Sequence, residues 1–210
     1  MDANGKKLYI VGTNLGNWLN PEGYMFDFKK TNCEWMINDM VCELAGPDFA
    51  REDYMGKNDE TEGFKQMDKV IDWCRKYDLH LILDMHDCPG GQTGDNIDNG
   101  HGYPWLFESE ASQQLFCQIW QKIASCYKDE PVILGYELMN EPIATMFSDS
   151  LRAALNAKLE PHYKRATKAI REVDLNHIIL LGGAQWNGNF EPFSDWKFDD
   201  KIMYTCTWAR

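Results

Sequence analysis

An apolar run, Val132-Ile133-Leu134-Gly135-Tyr136, passes through Glu137-Leu138-Met139 and ends in Asn140-Glu141-Pro142. Near-continuous apolar runs of this kind are the signature of strands buried on both faces of a parallel sheet. Pro142 stops the ladder, having no N–H to donate and restricting the residue before it. Asn140 and Glu141 are thereby expected at the carboxyl end of a strand, where α/β barrels and open α/β sheets carry their chemistry. A carboxyl half-buried there should have a raised pKa, as a general acid requires. A glutamate that merely caps the following loop would read the same way.

A second polar strand end follows Leu79-His80-Leu81-Ile82-Leu83, in Asp84-Met85-His86-Asp87. His86 is a candidate for lining a site, against the alternative of a satisfied core histidine. The segment Cys88 to Gly100 is too long and glycine-rich for a simple connection, and loops of that length are usually functional. Its Asp95 and Asp98 could meet a polar ligand, although solvated turn aspartates are the simpler expectation. Trp186 closes another apolar run, His177 to Gln185, and Trp18 sits in a loop after Gly16. Each is either a stacking platform or core.

The elements that must hold these residues alternate. Strand candidates are Leu8–Gly16, Leu79–His86, Val132–Pro142, His177–Trp186 and Lys201–Cys206. Helices are expected over Glu34–Leu44, stopped by Gly46-Pro47, over Phe64–Tyr77, and through Leu115–Tyr127. A further helix begins at Leu151 and is expected to restart at Pro161, a first-turn residue. Strand and helix in alternation indicate an α/β fold with a parallel sheet, in one domain spanning 1–210. Between Asp48 and Thr61 the chain is charged and offers no strand.

A net charge of −12 disfavours a nucleic-acid partner, which needs a basic face. No apolar run is long enough to span a membrane, and Met1 to Lys7 has no signal-peptide core, so a cytoplasmic or trimmed secreted chain is expected. The seven cysteines contain no C-x-x-C pair or zinc pattern; they read mostly as buried thiols, and neither metal nor cofactor is expected.

Leu138-Met139-Asn140-Glu141-Pro142 resembles the signature of glycoside hydrolase family 5, the cellulase-like retaining glycosidases. Gly12-Thr13-Asn14-Leu15-Gly16-Asn17-Trp18-Leu19 resembles the family's first strand and loop. Leu81 to His86 with Pro89-Gly90-Gly91 resembles its third strand, and Gly100–Phe107 and Gly182–Trp186 are similar to further segments. The resemblance implies a (β/α)8 TIM-barrel type of fold and retaining hydrolysis of β-linked glucans, without a cofactor. It casts Glu141 as general acid/base, Asn140 as hydrogen-bond partner of the sugar 2-hydroxyl, and His86 as a residue lining the site. Trp186 and Trp18 would be sugar platforms.

The pattern is incomplete. Strand 2 with its arginine, and strands 7–8 with the glutamate nucleophile, have no match, so the chain reads as a partial barrel domain. The family's His-x-Tyr pair is replaced by Thr207-Trp208-Ala209-Arg210. An inactive carbohydrate-binding remnant is the alternative function. Two other readings are an inverting enzyme pairing Glu141 with Asp84 or Asp95, and a metal-dependent hydrolase using Asp84, His86 and Asp87. His177 starts its strand and would lie at the wrong face for the latter.

Overall fold

The computed structural model describes residues 9–14, 22–45 and 60–206. Its helices are α1 (Glu34–Ala45), α2 (Glu60–Tyr77), α3 (Glu110–Tyr127) and α4 (Asp149–Arg171), and its strands β1 (Leu81–Asp84), β2 (Ile133–Glu137), β3 (Ile178–Gly182) and β4 (Ile202–Thr205). Short 3-10 turns cover Gly23–Phe26 and Trp105–Phe107. No helix among the described residues is long and apolar enough to cross a membrane.

The four strands form one sheet in the order β1-β2-β3-β4, every pair parallel. Parallel neighbours need a crossover, and from β1 to β3 an amphipathic helix supplies it. Serines start two of these helices: Ser109 Oγ accepts from Ser112 N at 3.2 Å, and Ser148 Oγ from Leu151 N at 3.4 Å.

Alternation sorts β2 cleanly. Tyr136 and Leu138 face the helical layer, where Tyr136 packs on Trp120 and the Trp120 indole donates to the Leu138 carbonyl at 3.0 Å. Trp120, Phe116, Tyr163 and Leu159 from α3 and α4 are fully buried in that layer. Each such side chain contributes roughly 1.5–3 kcal/mol of hydrophobic stabilisation. Gly135 and Glu137 face the other way, in register with Ile82 and Asp84 of β1.

Two expectations are corrected. Residues 9–14, expected as a first strand, lie outside any strand, and Tyr9, Ile10 and Val11 are exposed. A strand needs a hydrogen-bonded neighbour, and among the described residues β1 has only β2. Pro161 does not restart a helix but sits inside one continuous helix, α4. A mid-helix proline loses a hydrogen bond and costs about 3 kcal/mol. Here Leu155, Leu159, Tyr163 and Ala166 are buried along the same helix and hold it together across the proline.

Cysteine burial is also more varied than expected. Cys33, Cys74 and Cys88 are buried, Cys42 and Cys117 are intermediate, and Cys126 and Cys206 are exposed, all as free thiols.

Candidate active site

The carboxyl ends of β1 and β2 bring two of the expected residues together. His86 lies two residues beyond β1 and Asn140 three beyond β2, and Asn140 N donates to the Met85 carbonyl at 3.2 Å, prolonging the pairing past both strand ends. The side chains meet at His86 Nε2 and Asn140 Nδ2, 3.4 Å apart.

His86 is held from two further sides. Asp84 Oδ2 lies 2.9 Å from Nδ1, and Glu22 Oε1 lies 3.3 Å from Nε2. Burial works against charge on the ring, but hydrogen bonds and attraction from Asp84 and Glu22 outweigh it and raise its pKa to about 10. His86 is therefore an imidazolium at neutral pH, donating from both nitrogens. The Asn140 amide orientation that suits an imidazolium turns Oδ1 toward Nε2.

Glu141 follows directly, half-buried, with φ 45°. Ile143 also adopts a left-handed φ of 59°. Such conformations cost of order 1–3 kcal/mol for residues other than glycine and persist only where the surroundings impose them. The Glu141 charge is felt at Tyr24, whose phenol pKa is pushed up by burial, then by Glu22, then by Glu141. Glu22, Tyr24, His86, Asn140 and Glu141 thus share one neighbourhood at the carboxyl end of the sheet.

Glu137 lies beneath them. It shares the inward face with Asp84, its register partner, and reaches across β3 to accept from Thr205 Oγ1 at 2.9 Å. Leu180 and Gly182 are the β3 residues on this face, and Gly182 is the register partner of Thr205. The space a Gly182 side chain would fill belongs to Asn187, whose Oδ1 lies 2.0 Å from a Cβ built there. Burial first, then repulsion from Asp84, lifts the Glu137 pKa to about 7, against the opposing pull of Thr205 and His86.

The long loop after β1 is ordered by its own polar groups. Asp98, expected to be solvated, is buried and accepts from Thr93 Oγ1 at 2.8 Å, Gly94 N at 3.0 Å and Gly100 N at 3.3 Å. Four donors, Thr93 N included, commit both of its oxygens to holding the loop. Asp95, half-buried, accepts from Asn96 N at 2.7 Å. Asp87 and Glu34 hydrogen-bond to each other, which two carboxyls do only when one holds a proton. Burial, then Asp98 and Glu34, raise the Asp87 pKa to about 7.

Trp186 leaves β3 in a left-handed turn, Gln185 (φ 51°), Trp186 (φ 61°) and Asn187 (φ 61°). Its Nε1 donates to Thr145 Oγ1 at 3.1 Å, which ties it to the loop that follows Glu141. Trp18 lies outside the described residues. His177 is at the opposite end of the sheet, bonded to Asp174 at 2.6 Å and to the Glu130 carbonyl at 3.0 Å. Among the described residues no group of three or more His, Cys, Asp or Glu side chains is arranged to hold a metal ion.

Sequence reasoning passed over Glu22, Gln92 and Glu137. Glu137 had a signal, a polar residue at an inward position of an apolar strand. Glu22 and Gln92 lie in irregular segments without periodicity, and nothing in the sequence marks them.

The profile described as Cellulase (glycosyl hydrolase family 5) matches residues 1–206. Endoglucanase C of Acetivibrio thermocellus is 32% identical over 93% of this chain and 56% of its own length. A β-xylosidase of Phanerodontia chrysosporium is 27% identical over 93% of this chain and 47% of its own. The crystal structure of endoglucanase Cel5A from Thermotoga maritima superposes with a TM-score of 0.57 at 23% identity, covering 94% of this chain and 59% of that one. The fold is that of a (β/α) barrel, represented among the described residues by a four-stranded part. The chain belongs to glycosyl hydrolase family 5. It spans about half the length of the curated relatives it matches.

Proposed function

We propose that this chain carries the acid/base half of a retaining glycosidase acting on β-linked glucans. The observation that supports it most directly is the meeting of Asn140 and His86, 3.4 Å apart, where Glu141 leaves the sheet. On this reading Glu141 protonates the glycosidic oxygen as the bond breaks and later takes a proton from the attacking water. Asn140 bonds the 2-hydroxyl of the sugar beside that bond, an interaction that strengthens as positive charge develops on the ring. The His86 imidazolium, its two N–H groups engaged by Asp84, Glu22 and Asn140, orients the Asn140 amide toward the sugar. Trp186 supplies a flat apolar face for a pyranose ring, a role that the family resemblance also gives to Trp18.

Retention also needs a carboxylate nucleophile about 5–5.5 Å from the acid. No residue of this sequence matches the family's glutamate, and we assign that role to a segment beyond these 210 residues. The substrate class rests on relatives named endoglucanase and cellodextrinase.

The test is hydrolysis of an aryl β-glucoside and a mixed-linkage β-glucan by the purified chain beside Glu141→Gln. Turnover lost in the variant supports Glu141 as the acid/base and overturns the assignment of the nucleophile to a further segment, placing it within the chain or in a second copy. Glucan binding without turnover supports the alternative, a sugar-binding remnant, which the unmatched nucleophile favours. Neither turnover nor binding sinks both.

A further inference from the structure

Gln92 is fully buried beneath the two strand ends that carry the site. Its side-chain amide is saturated. Nε2 donates to the His86 carbonyl at 2.7 Å and to the Asn140 carbonyl at 3.0 Å, while Oε1 accepts from Cys88 N at 3.0 Å. Its own backbone carbonyl accepts from Ile143 N at 3.0 Å. The last two contacts on the Glu141 side bracket that residue: Gln92 holds the carbonyl before Glu141 through its side chain, and the N–H two residues after it through its backbone. Between those bonds lies Glu141 with its left-handed φ, and Ile143, whose N–H makes the second bond, is left-handed as well. A β-branched residue at positive φ is an outlier that needs an outside restraint. Gln92 is the residue that applies one from both ends.

The loop is shaped to deliver it. Gly91 N donates to the Cys88 carbonyl at 2.7 Å, and Gly91 takes φ +73°. A Cβ there would strike the Asn99 side chain at 2.2 Å. This turn directs Gln92 inward.

We propose that Gln92 is a positioning residue: it locks the Glu141 turn in its left-handed form and ties it to the His86 strand end, fixing where the Glu141 carboxyl points. The catalytic consequence rests on the reading of Glu141 as general acid/base; the clamp itself does not. The kinetic signature follows from acid catalysis. A displaced acid slows departure of a poor leaving group and hardly affects a good one, which departs without protonation. A loss of folded enzyme would slow both equally.

The experiment uses Gln92→Met, of similar length and without donors, in the full chain. Backbone amide exchange is followed at Asn140 and Ile143, with the amides of α3 as reference. Hydrolysis of 4-nitrophenyl and 2,4-dinitrophenyl β-cellobiosides is measured alongside as kcat/KM, which reports cleavage of the glycosidic bond and leaves out the later water attack, where Glu141 acts as base for both substrates alike. The expected result is exchange at least about tenfold faster at the turn with α3 unchanged, a loss of one unit in log protection. The 4-nitrophenyl rate should fall about a hundredfold, the scale of a misplacement near 1 Å, with the dinitrophenyl rate nearly kept. Unchanged exchange at Ile143, or equal slowing of both glycosides, overturns the proposal. If the parent chain hydrolyses neither glycoside, as it would with the nucleophile outside these residues, the rates say nothing against the clamp, and exchange at Ile143 alone decides it. Should the Gln92→Met chain not fold, Gln92→Glu, which keeps an acceptor for Cys88 but loses both donors, is put through the same measurements.

Discussion

Glu137 accepts a hydrogen bond from Thr205 Oγ1 at 2.9 Å although a whole strand, β3, separates their own. A side chain can span that distance only on the concave face of a curved sheet. The contact therefore identifies which face of the sheet is inward, and puts a carboxyl directly below Asn140 and Glu141.

This carboxyl titrates in the neutral range. With its pKa raised to about 7, native Glu137 still holds a proton at a pH where the unfolded chain has lost it. The native state then binds more protons than the unfolded one, so stability falls as pH rises from about 4.5 to about 7. Glu137→Gln, permanently neutral, should flatten that slope. Thermal melts of both proteins at pH 5 and pH 8 check it. The variant should gain on the parent by several degrees at the higher pH, since 1 kcal/mol moves Tm by about 2–4 °C at this size.

His86 shifts in the opposite electrostatic sense. Its raised pKa means that the native state retains a proton above the ordinary histidine range, so its contribution to stability is complete below about 6.5 and disappears as pH climbs through about 10. Nitrogen chemical shifts of the ring should report a doubly protonated imidazole at pH 8. Asp84→Asn should lower the pKa by about 1–3 units, bringing the transition into view. A ring that is already neutral at pH 8 in the parent would refute the ion-pair description.

Glu160 is buried halfway along α4, where it anchors the connection between β3 and β4. It accepts from Ser194 N at 2.9 Å, Ser194 Oγ at 2.7 Å and Asp195 N at 2.9 Å, and Lys164 Nζ lies 3.0 Å away. Burial opposes its charge, but these donors prevail and bring its pKa down to about 2. The stabilisation is present above the ordinary carboxylate range and is lost as pH falls toward 2. Glu160→Ala should cost about 2–4 kcal/mol in urea denaturation at pH 7, because it leaves buried amides unpaired. Glu160→Gln should cost less.

At the amino end of the sheet, Tyr136 donates to Asp174 at 2.8 Å, and His177 packs on its ring. This network joins β2 to the start of β3 and lies away from the site. Tyr136→Phe should lower stability by about 1.5–3 kcal/mol, the worth of one hydrogen bond to a charged group, since Asp174 keeps His177 and two backbone amides as partners, while leaving glycan binding unchanged. A change in binding affinity would show that the two ends of the sheet are coupled.

The strands β1 to β4 were legible because each is a compact apolar run bounded by polar or turn residues, and parallel sheets bury both faces of such runs. The same rule misplaced Tyr9-Ile10-Val11. Hydropathy states a demand for burial, but not whether a neighbouring strand exists to meet it. Pro161 misled in a related way: local propensity called for a new helix, and burial on either side carried the old one through. Asn140, Glu141 and His86 could be singled out by their position at strand ends. Gln92 could not, and Asp98 was singled out for a ligand and not for the loop it holds, since both roles come from bonds to backbone groups that only the folded loop brings near.

The left-handed turn Gln185-Trp186-Asn187 has a consequence for recognition. Its conformational cost is met once, when the chain folds, and the indole is then pinned through Nε1 to Thr145. A ring docking on Trp186 meets a surface with little side-chain entropy left to lose. Affinity at that position should therefore depend on how well the ligand's shape matches a rigid plane, with small penalty for ordering and little tolerance for ligands that need the plane to tilt.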